Sequence, residues 1–146
     1  MPDEDPRAAF AAYTQSFISE FRANNGHLKT GPFAGRDVLL LTTTGSKTGQ
    51  ERLTPVAYTR DANHVVIVAS KSGAPTNPGW YHNLVANPVV TVELGGETFK
   101  ARATVVADDA ERDRLYAAHA ATHAGFADYE RKTTRRIPVV LLDRLA

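Results

Sequence analysis

The 146-residue chain contains no cysteine, and this absence removes several kinds of chemistry at once. Without a thiol there is no disulfide, no thiolate zinc site, no protein-ligated iron–sulfur cluster and no cysteine nucleophile. The lack of disulfides fits a reducing compartment. We therefore expect a cytoplasmic protein.

An excess of charge of one sign is missing as well, because 17 Lys and Arg residues face 16 Asp and Glu residues. So small a net charge does not predict a nucleic-acid partner, and any anion site must come from local clustering of basic residues. No hydrophobic run approaches the length of a membrane-spanning helix. The acidic, proline-containing start, residues 1–6, does not resemble a secretory signal.

The composition, 42% hydrophobic and 23% charged, is typical of a globular protein. We predict a single domain over residues 1–146. Aromatic residues at helical spacing predict an N-terminal amphipathic helix over 6–24: Phe10, Tyr13, Phe17 and Phe21. We favour a helix that packs on a core. Peripheral contact with a membrane surface ranks second, because the polar face is not especially basic.

The rest of the chain alternates short strand-like segments with turns. Strands are predicted at 38–43, 52–59, 64–69, 89–94, 97–106 and 136–142. A short helix is expected over 80–86 after a capped start at Asn77-Pro78, and a longer one from about 108 to 122. Strands joined by short turns favour an antiparallel sheet. The predicted class is mainly β with flanking helices (α+β), a closed or half-closed barrel whose core spans 33–146.

Basic residues stand among small ones in the turn after the first strand, where Lys47 and Arg52 flank Thr48 and Gly49. Small residues let backbone N–H groups approach an anion, and the cations add charge-assisted hydrogen bonds. A solvated polar turn is the ordinary interpretation, and spacing alone favours it. The glycine spacing is wrong for a Walker loop, and no helix follows.

A second cluster runs through residues 69–84, where a loop carrying Lys71 leads to a helix N-terminus that favours anions. Trp80 can pack on a ring system, and Asn83 shares its helical face. The ordinary interpretation puts Trp80 in the core and Asn83 near a helix end. Pro55 interrupts the second strand, which predicts a sheet edge, a bulge or a close ligand.

Taken together and in order, these motifs resemble the deazaflavin-dependent nitroreductase family, which includes quinone reductases that use coenzyme F420. The resemblance covers about residues 33–142, and its motifs lie at 40–52, 54–55, 69–74 and 77–88. It implies a split β-barrel like those that bind flavin mononucleotide. It also implies an oxidoreductase that transfers a hydride from the reduced deazaflavin to a quinone, nitroaromatic or enone.

The resemblance also implies roles for individual residues. Lys47 and Arg52 would hold the phosphate and the glutamyl tail of the coenzyme, beside Thr48 and Gly49. The same groove would be lined by Lys71, Gly73 and Ala74. The ring and ribityl portion would lie along Pro55, Ala69, Ser70, Trp80 and Asn83.

The acceptor pocket departs from the family pattern. Ala57 stands where a tyrosine is expected, and Ser46 replaces a usual arginine. In a later tyrosine series, His123 and Phe126 occupy two places and Tyr129 keeps the third. We expect Ser70 and Tyr129 to donate hydrogen bonds to an acceptor oxygen. The altered pocket argues against reduction of nitroimidazole prodrugs.

Alternatives stay open at this point. The chain could use flavin mononucleotide on the same barrel, or bind a coenzyme without turnover, and a homodimer is compatible with either. His119 and His123 have a metal-binding spacing, but we expect a surface pair or a pocket wall and no metal. Residues 130–132 and 135–136 read as a solvated basic face, with contact to a phosphate tail as the alternative.

Overall fold

The computed structural model describes residues 16–24, 26, 37–70, 73, 76–123 and 125–145. Four residues to which the sequence assigned roles lie outside this set: Phe10 and Tyr13 of the aromatic stripe, and Lys71 and Ala74 of the expected coenzyme groove. Within the described ranges, no helix is long and apolar enough to cross a membrane.

Six antiparallel strands form a closed barrel in the order β1-β2-β3-β6-β5-β4, with β1 also paired to β4. The strands are β1 Val38–Thr44, β2 Glu51–Asp61, β3 His64–Val68, β4 Val89–Leu94, β5 Glu97–Val105 and β6 Val139–Arg144. The predicted barrel is therefore confirmed.

The last strand begins at Val139, three residues after its predicted start. The Ile137 carbonyl accepts a hydrogen bond from Arg112, and Pro138 has no N–H to give to a ladder. Pairing between strands therefore starts only beyond the proline.

Side chains that alternate along the strands fill the barrel. The interior holds Leu39, Leu41, Val56, Val65, Ile67, Val90, Val92, Ala101, Ala103, Val140 and Leu142, all buried. Each fully buried Leu or Val contributes roughly 1.5–3 kcal/mol to stability. The alternate positions face outward, and helices cover part of that outer surface.

The N-terminal helix α1, helical at residues 16–23, packs on the outside of the barrel. Phe17, Ile18 and Phe21 are buried against Val38 and Leu40. The helix ends at Gly26, whose N–H donates to the Phe21 carbonyl (2.8 Å) and whose φ of 88° suits glycine. For its described part, the prediction that the aromatic stripe packs on the core is confirmed.

Three further helices are α2 Gly79–Ala86, α3 Asp109–Thr122 and α4 Phe126–Lys132. The predicted start of α3 near residue 108 is confirmed, and Asp108 caps the helix by accepting a hydrogen bond from the Glu111 N–H (2.9 Å). The capped start at Asn77-Pro78 is wrong, because Pro78 is the N-cap of α2 and no side chain caps the helix. Helix α4 was not predicted.

The antiparallel register separates the barrel into two ends. The α2 end carries the β1–β2 turn at 45–50, the segment 69–78 that follows β3, and α2. The hairpin end carries the β2–β3 turn at 62–63 and the β4–β5 turn at 95–96. All the described residues expected to bind the phosphate, tail and ring lie at or near the α2 end.

Candidate functional site

The β1–β2 turn is a compact loop held by its own backbone. The Gly45 N–H donates to the Gln50 carbonyl (2.7 Å), and the Gly49 N–H donates to the Gly45 carbonyl (2.9 Å). Gly49 has a φ of 72°, in the left-handed region that favours glycine. A Cβ on Gly45 would lie 2.7 Å from Thr48 Oγ1. Glycine is therefore favoured at both positions, and the turn presents Lys47 and Thr48 to solvent.

Lys47 and Arg52 are exposed and make no ion pair with any other described residue. Arg52 lies opposite Thr43, whereas Glu51 lies opposite Thr44 and points to the other face of β2. Two unpaired cations beside an exposed turn give a locally positive surface in a protein of nearly zero net charge. This arrangement favours an anionic ligand.

Asn83 of α2 fixes the position of the turn. Its Oδ1 accepts from the Ser46 N–H (3.0 Å), and its Nδ2 donates to Thr43 Oγ1 (3.1 Å). One turn earlier, Trp80 is half-buried and packs against the barrel core. The ordinary interpretation of Trp80 as a packing residue therefore holds for much of its ring, and Asn83 supports the turn whether or not it also contacts a ligand.

An opening lies between β2 and the chain that follows β3. Only Tyr58–Asp61 of β2 pair with β3, so residues 51–57 have β1 as their one neighbour in the described sheet. After Val68 the chain follows β6 instead, and the Ala69 N–H donates to the Pro138 carbonyl (3.0 Å). Pro55 lies on this unpaired edge, as its inability to donate predicts. The expected residues Arg52, Pro55, Ala69 and Ser70 thus border one split in the barrel.

Gly73, in the segment after β3, lies close to α4. Gly73 has a φ of 80°, and a Cβ there would lie 2.9 Å from Lys132 Cβ and 3.0 Å from the Tyr129 carbonyl oxygen. Only glycine permits this approach. The contact brings the expected coenzyme loop, with the buried Ser70, next to the expected acceptor residue Tyr129.

The expected acceptor residues gather on the outer face near the same opening. Ala57, on the outer face of β2, packs against the buried cluster that contains Phe126, and so does Tyr129. The Phe126 and Tyr129 rings meet edge to face at 5.2 Å, and the His123 ring lies 6.0 Å from Phe126. Ala57 and three residues from 123–129, distant from it in the sequence, therefore form one wall.

Arg135 is a site residue that the sequence did not reveal. Its guanidinium donates to the Ser70 carbonyl (2.7 Å), the Ala69 carbonyl (3.2 Å) and Asn77 Oδ1 (2.6 Å). Burial lowers the pKa of Arg135 from its ordinary value. The prediction of a solvated face is therefore wrong for Arg135. It holds for Arg136, which is exposed and pairs with Asp109.

The two histidines are buried, so the prediction of a surface pair is wrong. His119 is 0% exposed and His123 2% exposed, with ring centroids 4.8 Å apart. His123 Nε2 bonds to the Tyr58 carbonyl (2.8 Å), and His119 Nδ1 to Thr59 Oγ1 (3.2 Å). Burial and then the neighbouring His123 lower the pKa of His119 to about 3. In the described residues, no cluster of three or more His, Asp or Glu side chains forms a metal site.

The chain folds as a split antiparallel barrel with a cationic turn at the opening. This arrangement is the one expected for the class of coenzyme-binding oxidoreductases that the sequence resembles. The model of the F420H(2)-dependent quinone reductase family matches residues 14–144. The chain therefore belongs to the F420H(2)-dependent quinone reductase family.

Individual relatives agree with this assignment. The chain is 41% identical over 126 residues to an F420H(2)-dependent quinone reductase of Mycobacterium tuberculosis, covering 85% of each protein. A solved F420-H2-dependent reductase, FDR-A, superimposes with a TM-score of 0.67 at 34% identity, over 74% of this chain and 95% of that one. Another solved structure, described as a domain-swapped dimer, gives 0.68 at 28% identity, over 94% and 99%.

Proposed function

We propose that this chain transfers a hydride from reduced coenzyme F420 to a small planar acceptor, with a quinone as the leading candidate and nitroaromatics or enones as others. The proposal depends on two cations, Lys47 and Arg52, that have no acidic partner among the described residues. Both lie at one end of the split between β2 and the segment after β3. Family membership supports both the coenzyme and the quinone.

The described residues fit a coenzyme with an anionic tail and a flat ring. Lys47 and Arg52 supply charge for the phosphate and glutamyl groups, and the exposed turn residues Thr48 and Gly49 offer polar groups beside them. Pro55, Ala69 and Ser70 border the split where the ring would lie. Contacts from Lys71 and Ala74 stay predictions that rest on the resemblance.

When bound, the reduced deazaflavin supplies the hydride. The chain's part is to hold ring and acceptor together and to stabilise charge on the acceptor. We propose that the hydroxyls of Ser70 and Tyr129 donate hydrogen bonds to the acceptor oxygen, and that water supplies the proton. Ala57, His123 and Phe126 make the acceptor wall less rich in hydroxyl groups than a tyrosine-lined one.

The coenzyme site is tested by Lys47→Ala and Arg52→Ala. Each variant should raise the F420 dissociation constant about tenfold, because one charge-assisted hydrogen bond contributes roughly 1.5–3 kcal/mol. Binding is measured by absorbance titration. Lys100→Ala is the matched control, since Lys100 is an exposed cation on β5 that bonds to Thr91. Equal affinity in both turn variants and the wild type would refute the tail site.

The acceptor wall is tested separately by Tyr129→Phe. We expect a lower kcat/KM for the quinone with little change in F420 affinity, because only the phenol hydroxyl is removed. Oxidation of reduced F420, followed by absorbance against a panel of acceptors, gives the rates. A variant that loses coenzyme affinity and keeps its acceptor kinetics would contradict the acceptor role.

Two alternative functions are resolved by the same assays. A flavin-mononucleotide enzyme would prefer that flavin over F420 in the titration. A non-catalytic carrier would bind F420 without reducing any acceptor in the panel.

We further propose a homodimer, supported by the solved neighbour described as a domain-swapped dimer. Its test is the mass in solution, and a monomer would overturn it. Peripheral membrane contact through α1 stays a hypothesis. The described apolar side chains of that helix do not favour it, because they pack on the barrel.

A further inference from the structure

The described residues of the segment that follows β3 make few backbone hydrogen bonds. Ala69 pairs through its N–H with Pro138, and the Gly73 N–H donates to the Ser70 carbonyl (3.0 Å). Ala69 and Ser70 are nonetheless buried, at 0% and 6% exposure. Buried carbonyl groups need donors, and a segment outside the sheet must find them elsewhere.

Arg135 provides those donors and joins the two ends of the segment. Nη1 and Nη2 both reach the Ala69 carbonyl (3.2 Å each), and Nη2 also donates to the Ser70 carbonyl (2.7 Å). At the other end, Nη1 donates to Asn77 Oδ1 (2.6 Å), one residue before the N-cap of α2. A planar guanidinium suits this task, because its donors have a fixed fork geometry.

The base from which Arg135 acts is itself fixed. The Arg135 N–H donates to Thr133 Oγ1 (3.2 Å), just after α4. Two residues later, the Ile137 carbonyl accepts from Nε of the buried Arg112 on α3 (3.0 Å). Arg135 is thus held between helices and barrel, and its own position is set before any ligand binds.

We infer that Arg135 is a positioning residue of the coenzyme site: by bonding Ala69, Ser70 and Asn77 it pre-forms the segment that borders the split. This inference rests on the proposed function for the identity of the ligand. Arg135 acts through the segment and not by contact with the acceptor. Pre-organisation lowers the entropy cost of binding. Losing the hydrogen bonds of Arg135 should therefore weaken the coenzyme complex.

The test compares Arg135→Ala and Arg135→Lys with Arg136→Ala. Arg136 is the matched control, because it is the adjacent arginine and forms only an exposed ion pair with Asp109 among the described contacts. Hydrogen exchange of peptides spanning 69–78 is measured on the coenzyme-free protein, and the F420 dissociation constant by titration. Both Arg135 variants should exchange faster and bind F420 at least about tenfold more weakly. Lysine should not rescue, because its compact ammonium lacks the extended planar fork with which the guanidinium reaches both ends of the segment.

A second pair of variants keeps the test decisive if Arg135→Ala does not fold. Asn77→Asp preserves an acceptor for the guanidinium and should keep near-wild-type affinity, whereas Asn77→Leu removes it and should weaken binding. Steady-state kinetics of the weakened variants should show a rise in the KM for reduced F420 that exceeds any rise in the KM for the quinone, because Tyr129 remains in place beside Ser70. A merely structural defect would not produce this split or this rescue.

The outcomes separate the inference from the function. If the wild type binds F420 and Arg135→Ala binds it equally well, the inference is overturned and the function stands. The same holds if the exchange of 69–78 is unchanged in that variant. If the wild type does not bind F420, the proposed function is overturned and the inference falls with it, whatever the exchange shows.

Discussion

The two ends of the barrel use charged residues in different ways. At the hairpin end three arginines have acidic partners: Arg22 pairs with Glu93, Arg114 with Asp61 and Arg144 with Glu97. Arg60 lies over the Tyr58 ring, and His64 bonds to Asp143. At the α2 end, Lys47 and Arg52 have no such partner among the described residues. Exposed ion pairs contribute little stability, but they cancel the local field. The contrast shows that a nearly neutral chain can still keep one positive site.

The largest expected effect lies between the two ends, at the buried histidines. The folded-state pKa of His119, about 3, is below its ordinary value of 6.5, so the unfolded state binds the proton more readily. Stability is fully present above pH 6.5 and falls toward pH 3, by roughly 3 kcal/mol at pH 4. Chemical denaturation at several pH values measures this slope. His119→Gln should flatten it, and the exposed His82→Gln should not. An unchanged slope in His119→Gln would assign the acid sensitivity to other groups, such as the ion pairs of the hairpin end.

The next effect tests the comparison directly, with two cations removed at each end. Lys47→Ala/Arg52→Ala should raise the F420 dissociation constant about a hundredfold, or about 2.7 kcal/mol. Arg114→Ala/Arg144→Ala should change it less than about twofold, because those cations are already neutralised. Titration of F420 at fixed ionic strength measures both. Equal losses would mean that overall charge, and not the turn, attracts the coenzyme.

A smaller effect is expected from salt, which should weaken F420 binding at the cationic turn. Salt screens the attraction between an exposed cation and a distant anion, with a Debye length of about 10 Å at 0.1 M salt. We expect F420 binding by the wild type to weaken several-fold between about 0.05 and about 0.5 M NaCl, and binding by the double turn variant to change much less. Isothermal titration at each concentration gives the slopes. Parallel slopes in the two proteins would contradict electrostatic capture at the turn.

The smallest effect is expected at the hairpin end. Glu97→Gln removes the partner of the exposed Arg144. The free energy of unfolding should drop by less than about 1 kcal/mol, with coenzyme affinity unchanged. Urea denaturation and F420 titration measure the two quantities. A loss of several kcal/mol would show that this pair supports the barrel.

The strands were predictable from sequence because each buries one face and short turns separate them. Strand β4 has the predicted bounds Val89–Leu94, and β1 and β3 differ from prediction by one residue at one end. Helix α4 was not predictable in this way, since it has seven residues and begins after Gly125, and the Tyr116 hydroxyl binds the Phe126 carbonyl. Such a helix depends on tertiary contacts that local propensity does not contain.

The residues of the candidate site also differ in how far local sequence predicts them. The cationic turn could be located because its residues are neighbours in the sequence. The role of Arg135 could not, because its partners Ala69 and Asn77 lie 66 and 58 positions away. The spacing of the sequence does indicate burial of His119, because it stands four residues after the apolar Leu115 and so shares its face of α3.

The unpaired edge of β2 at residues 51–57 carries a risk of aggregation, and residues of the same strand reduce it. An open strand edge invites a strand of another molecule to add to the sheet, which is a common start of aggregation. Pro55 has no N–H to offer such a strand, and the charged Glu51 and Arg52 oppose close stacking. The opening proposed to admit the coenzyme therefore also resists the addition of a strand from another molecule.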